Sequence, residues 1–405
     1  MIPMKNVNYL IGSELIENTP MRVFDDEVCN FIGELSSEIL KSPLGRIYPD
    51  LSALAFWGRK AHLQKLKEVF GECSGRLGRG LCFHIAPSNI PVNFAFTYLF
   101  GLLAGNANIV RLPSKNFPQI DAFCNLFAKI VKKYPNIEKR TAFVKYPRDN
   151  DITAEFCKIA DARMIWGGDK TIAMVKSMPT SPRCVDIAFA DRYSVALFDG
   201  ETIVNSDEKT MQKLAENFYN DTYLMDQNAC SSPQLILWVN DSKTARDKFW
   251  QYVLDYAKQK YVLQDAVAVD KYTKMCEESI SNPNVDAIKH FENILYRVEL
   301  KELNQDVINH RGKGGFFFEY SLKNINEFMN IITEKYQTIT YFGIDIQELR
   351  QQIISSHCRG IDRIVPVGKA MDIDVIWDGH DLIRELSRIV NIYINKKLNE
   401  ILKKD

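Results

Sequence analysis

At 405 residues, 46% apolar and 25% charged, the chain has the length of two or three domains and an ordinary globular composition. Acidic and basic residues balance at 51 each, which argues against nucleic acid or an anionic membrane as the main partner. No charged n-region with an apolar h-region opens the chain, and its most apolar run, 94–104, is too short to span a bilayer. A cytoplasmic location with no membrane span is expected.

In chain order, apolar residues recur at three- and four-residue steps over 27–40 and 53–70, predicting helices. Strand-like runs follow at 81–85, 108–112, 141–145, 162–166 and 194–198. Helical patterns at 91–104, 118–133, 152–159 and 170–177 separate most of them. Strands alternating with helices predict a mostly parallel sheet covered on both faces, with ligands at the carboxyl ends of its strands. Beyond about residue 205 the rhythm resumes: a helix over 211–223, a strand over 235–239 and a helix over 245–259. A polar stretch runs on to Asn284. The glycine-rich turn 311–315 leads into a strand at 316–320, with further strands at 338–342 and 362–367. The end, 382–404, reads as an amphipathic basic helix. The organisation is two α/β domains: 1–205, with the 382–404 helix packed back on it, and 206–375.

Several segments carry chemistry. In His84-Ile85-Ala86-Pro87-Ser88-Asn89-Ile90-Pro91, a strand ends and an Asn sits in a turn stiffened by two prolines. Asn89 is then either a helix N-cap or a fixed amide donor of the kind an oxyanion needs. In Gly105 to Lys115, Arg111, Ser114 and Lys115 sit at a strand's carboxyl end, as a phosphorylated nucleotide or a solvated basic loop would have them. In Trp166-Gly167-Gly168-Asp169, two glycines open a helix, a place where backbone amides can hold an anion; Asp169 reads as its cap.

Nine cysteines are scattered so that no two lie within four residues, giving neither a CxxC pair nor a zinc pattern; no metal site is predicted. Cys230 differs from the rest. It sits in Asp226-Gln227-Asn228-Ala229-Cys230-Ser231-Ser232-Pro233, between a helix and an apolar strand, among small and polar residues rather than core aliphatics. That context predicts a nucleophile. His310, a lone histidine before Arg311, is read as structural.

Taken in this order, the segments resemble the aldehyde dehydrogenase superfamily. The closer resemblance is to its acyl-CoA reductase branch, the fatty-acid reductase type of bacterial bioluminescence. That match rests on Asp226 to Pro233, Arg363-Ile364-Val365-Pro366-Val367-Gly368 and Trp377-Asp378-Gly379-His380-Asp381-Leu382. The resemblance implies two doubly wound α/β domains, one binding NADPH and one bearing the thiol. It implies reduction of an acyl thioester to the aldehyde through an S-acyl-cysteine. Cys230 matches the acylated cysteine and Asn89 the oxyanion asparagine. Pro87, Ser88, Arg111, Ser114, Lys115, Gly167 and Gly168 fall at dinucleotide contacts. The donor is acyl-CoA or acyl carrier protein; an acyl-transferring partner protein and a homo-oligomer stay open.

Two departures refine this. The stretch 186–195 lacks the glutamate by which oxidative members activate water, which favours reduction over hydrolysis. Lys115 stands where an acid often grips the adenosine ribose, favouring a 2′-phosphate and hence NADPH. Asp169 replaces a common phosphate-contacting Ser, which is a mismatch. The rival readings are an oxidative aldehyde dehydrogenase, an acyl phosphate reductase and a non-catalytic nucleotide-binding paralogue.

Overall fold

A computed structural model describes residues 6–88 and 90–392. These divide into two compact units, residues 6–190 with 380–392, and residues 191–379.

The first unit is built on a six-stranded sheet. Its strands are β1 (Asn8–Ile11), β2 (Leu81–Ile85), β3 (Ala107–Arg111), β4 (Thr141–Lys145), β5 (Ala162–Trp166) and β6 (Val185–Phe189), in the order β1-β4-β3-β2-β5-β6. All neighbours run parallel except β1, which is antiparallel to β4. Every residue of β2 and β5 is buried, as strands covered on both faces require. The helix Asn93–Leu103 is buried nearly all round and links β2 to β3. The chain steps outward from β2 to β3 and β4, then returns to lay β5 and β6 on the other side of β2. That reversal opens a crevice at the carboxyl ends of β2 and β5, where doubly wound sheets bind ligands.

The second unit holds a seven-stranded sheet. Its strands are β7 (Tyr193–Asp199), β8 (Pro233–Val239), β9 (Val285–Phe291), β10 (Leu295–Leu300), β11 (Phe316–Ser321), β12 (Tyr336–Phe342) and β13 (Arg363–Pro366), ordered β9-β10-β11-β8-β7-β12-β13. Only β9 is antiparallel to its neighbour. Successive residues of β7 serve opposite faces: Val195 and Leu197 join one core, Ala196 and Phe198 the other.

Three expectations change. The boundary falls at 190/191 rather than 205/206, because β7 hydrogen-bonds between β8 and β12 inside the second sheet. The helix expected over 53–70 is two, Pro49–Trp57 and Lys60–Phe70, divided at Gly58. The C-terminal helix is not continuous. A short helix, Leu382–Glu385, gives way to a strand, Ser387–Ile389, paired with Arg76–Gly78; 393–404 lie outside the described residues.

Candidate active site

The segment around Cys230 is held from both ends. The helix Glu208–Asp221 gives way to a 3-10 turn, Tyr223–Met225, and then to Asp226 and Gln227, both left-handed at φ +50° and +54°. Two such residues in succession are costly for L side chains and persist only where neighbours fix them. Here they do. Asp226 accepts from the Tyr261 hydroxyl at 2.6 Å, and its carbonyl accepts the Gly314 amide. The buried Gln227 uses its whole side-chain amide. Oε1 accepts from Gly315 N at 2.8 Å and Phe316 N at 3.0 Å, while Nε2 donates to the carbonyls of Pro233 and Phe316. Gly315 must be glycine: it has φ +93°, and a Cβ would stand 2.3 Å from the Ile294 carbonyl. The Asp-Gln of the motif thus fastens the cysteine turn to the lead-in of β11.

Cys230 itself is half-buried just before β8. Its carbonyl accepts from Ser194 Oγ at 2.7 Å, and that oxygen accepts the Thr338 amide at 3.3 Å, tying the turn to β7 and β12. The Gln337 side chain hydrogen-bonds the thiol, and Gln337 Nε2 donates to Asp378 Oδ1 at 2.9 Å. Asp378, buried and left-handed at φ +53°, pairs with Arg192 at 2.7 Å; Arg192 also pairs with Asp362. Burial pushes the Cys230 thiol up to about 11, and Asp378 pushes the same way; Gln337, Arg192 and Arg363 pull it down.

Arg363, Arg192, Gln337 and Asp378 were not singled out in the sequence. Arg363 and Asp378 lie inside motifs that carried the resemblance, the one usable signal. Arg192 lies in the stretch 186–195, noted only for its missing glutamate, and Gln337 comes from a segment with no motif.

Both carboxylates of the stretch 186–195 are engaged. Asp186 takes Arg163 bidentately, both contacts at 2.6 Å, and Asp191 pairs with Arg311 at 2.9 Å. His310 lies between Glu278 and Asp306, at 2.9 and 3.1 Å, as a structural clamp.

The residues expected to meet a dinucleotide lie at the carboxyl edge of the first unit's sheet. Ile85 is in register with both Arg111 and Ile165, so the loops after β2, β3 and β5 leave side by side. Pro87 is half-buried, and Ser88 and Gly168 are exposed at the crevice. Gly167 and Gly168 lead directly into the helix Asp169–Lys176. A Cβ built on Gly168 would meet nothing within 4 Å, so its glycine leaves room at a helix start whose first amides lack intrahelical partners. An open cradle at a helix start beside the switch point fits a dinucleotide's phosphates. Arg111 does not join them. Its guanidinium stacks 4.4 Å from the Tyr146 ring and bonds the Pro147 carbonyl, toward β4 and away from the crevice. Ser114 and Lys115 are exposed; Asn89 lies outside the described residues.

A family profile described as acyl-CoA reductase (LuxC) matches residues 55–392. The chain belongs to that family. It is 23% identical over 359 residues to the long-chain acyl-protein thioester reductase of Vibrio harveyi, covering 85% of this chain and 70% of the relative. Solved aldehyde dehydrogenases share its fold. An NAD-dependent benzaldehyde dehydrogenase from Corynebacterium glutamicum matches with a TM-score of 0.57 at 11% identity, over 89% of this chain and 82% of that one. A mutant 1-pyrroline-5-carboxylate dehydrogenase from Thermus thermophilus matches with 0.63 at 10%, over 91% and 81%. The LuxC-family protein is an acyl reductase that forms aldehyde, and the family implies a nicotinamide cofactor. No described helix is long and apolar enough to cross a membrane.

Proposed function

We propose that this protein reduces an acyl thioester to the aldehyde with NADPH, the acyl group passing through a thioester on Cys230. The observation that carries this is a half-buried thiol on a turn fixed by Gln227 and Ser194, facing Gln337, Asp378, Arg192 and Arg363.

The Cys230 sulfur attacks the thioester carbonyl. Its S–C bond forms as the carrier's C–S bond breaks, and the proton lost by Cys230 goes to the departing carrier thiolate. Exchange of one thioester for another is nearly isoenergetic, so a raised resting thiol demands no dedicated strong base. The backbone N–H of Cys230 serves as an oxyanion donor; Asn89 is the second donor by family resemblance alone. One such donor is worth roughly 10²–10³ in rate. When bound, the nicotinamide supplies a hydride. Cys230 is then the leaving group, released as the hemithioacetal collapses to aldehyde. Pro87, Ser88, Gly167 and Gly168 would hold the dinucleotide at the crevice, and Lys115 its 2′-phosphate. Hydrolysis is disfavoured because Asp186 and Asp191 are engaged by arginines. The carrier, coenzyme A or a carrier protein, shares the thioester that this chemistry needs.

The test is acylation without cofactor. Mass-tagged acyl-CoA should leave a hydroxylamine-sensitive adduct on the Cys230 peptide. Cys230→Ala should lose both the adduct and aldehyde formation, by at least about 10³-fold. A Cys230→Ala protein that still acylates and reduces normally would overturn the reading.

A further inference from the structure

We propose that Lys271 is a positioning residue for Cys230: its buried ammonium gathers three backbone carbonyls and so holds the glycine-rich turn 311–315 against the turn that carries the thiol. The inference rests on the acyl-enzyme reading and deepens it, since a nucleophile without a dedicated base depends on where its sulfur is held.

Lys271 lies on the helix Asp265–Ser281 and is 2% exposed. Its Nζ donates to the Ile294 carbonyl at 2.9 Å, to the Gly314 carbonyl at 2.6 Å and to the Asn293 carbonyl. Three N–H groups meet three acceptors, which uses every donor an ammonium has. The Tyr296 ring lies 5.2 Å from the same nitrogen. Among the described residues Lys271 makes no ion pair. Burial draws its pKa down to about 7 while Asp226 resists, so the charge is kept at a cost. A methionine would fill such a space without that cost. It could not hold three carbonyl dipoles aimed at one point, which repel one another unless a cation sits between them.

The carbonyls belong to two segments. Asn293 and Ile294 lie in the link from β9 to β10, where Glu292 and Asn293 are left-handed at φ +49° and +54°. Gly314 belongs to the glycine-rich turn and is left-handed at φ +57°. The approach there is close: a Cβ on Gly314 would stand 2.6 Å from the Tyr261 hydroxyl and 2.8 Å from Val267. The amides of the same turn face the thiol's segment. Gly314 N donates to the Asp226 carbonyl at 3.2 Å and Gly312 N to Gln234 Oε1 at 2.9 Å, beside the Gly315 and Phe316 amides already bonded to Gln227. Asp226 and Gln234 stand four residues before and after Cys230. Gly314 therefore accepts from Lys271 on one side and donates to the cysteine turn on the other, so a single residue passes the helix's position to the thiol's segment.

The test uses the full-length protein at pH 6, with thermal melts as a check of folding. In Lys271→Met, which keeps the length of the stem, hydrogen exchange of the 312–316 amides should quicken at least about tenfold. Acylation of Cys230 by mass-tagged acyl-CoA without cofactor should slow about 10²-fold at an unchanged half-saturating concentration. Met275→Ala loosens the same helix where it packs on the sheet's core and should change neither. Propylammonium, the part that Lys271→Ala removes, should restore acylation to that variant; tetramethylammonium, which has no N–H, should not. Unchanged exchange or unchanged acylation in Lys271→Met, losses as large in Met275→Ala, or equal action of the two ammonium ions would overturn the proposal. The acyl-enzyme reading fails separately, if the wild-type protein leaves no adduct on Cys230; exchange at 312–316 is read without substrate and still decides what Lys271 holds.

Discussion

Arg111 and Lys115 stand four residues apart at one strand end, and their side chains have different surroundings. Arg111 is stacked on Tyr146 and bonded to Pro147. Lys115 is exposed, its ammonium 5.3 Å from the Phe117 ring, and among the described residues it makes no ion pair. A phosphate contact from such a cation is worth about 1.5–3 kcal/mol. Lys115→Ala should therefore lower the ratio of kcat/KM with NADPH to that with NADH by about tenfold or more, while Arg111→Ala should leave the ratio near wild type. Equal ratios in Lys115→Ala and wild type would remove Lys115 from the cofactor site. Cys230 stood out in the sequence because its neighbours are small and polar. Its electrostatic surroundings were not: Arg192, Gln337, Arg363 and Asp378 come from separate stretches that only the strand order brings together.

Among elements, most core strands could be read from apolar runs, and β2, β4 and β5 match the expected bounds residue for residue. The helix Asp265–Ser281 could not. Its buried residues are Lys271 and Glu278, while Val269, Tyr272 and Ile280 are exposed, so no apolar stripe marks its inner face. Hydrogen bonds replace that stripe. Lys271 Nζ donates to the Ile294 and Gly314 carbonyls at 2.9 and 2.6 Å, and Glu278 bonds His310. Strands β9 and β10 were missed for a like reason: β9 is a polar edge, and β10 buries Arg297 against Glu319. The His310 clamp makes the helix's docking pH-dependent. The Glu278 hydrogen bond, opposed by burial and aided by Asp306, raises the imidazole above its usual 6.5. The folded state thus favours the protonated form. Its stabilisation is full below 6.5 and fades as pH rises through the elevated folded value. Melting temperatures from pH 6 to 9 should therefore decline more steeply for wild type than for His310→Gln; parallel curves would mean that the clamp carries no charge.

For the whole molecule, the decisive fact is that the first unit is discontinuous. Residues 191–379 form an unbroken chain with a core on each face of its own sheet, whereas residues 6–190 take their last pieces from 380–392. Ser387–Ile389 pairs with Arg76–Gly78, Asn106 Nδ2 donates to the Leu386 carbonyl at 2.8 Å, and Leu382, Ile383 and Leu386 are fully buried. Burying those three aliphatic side chains contributes roughly 5 kcal/mol, comparable to the whole margin of a typical domain. Sequence rhythm marks where strands fall but not which sheet they join, which is why the expected boundary fell after β7 and the short helix Gly200–Asn205 rather than before them. A fragment spanning 191–379 should accordingly unfold in one cooperative step with native near-ultraviolet circular dichroism. A fragment ending at residue 190 should lack a cooperative urea transition, and one joining 1–190 to 380–405 through a short flexible linker should regain it. If the fragment ending at 190 unfolds as sharply, and at the same urea concentration, as the linked one, residues 380–392 do not complete the first unit's core.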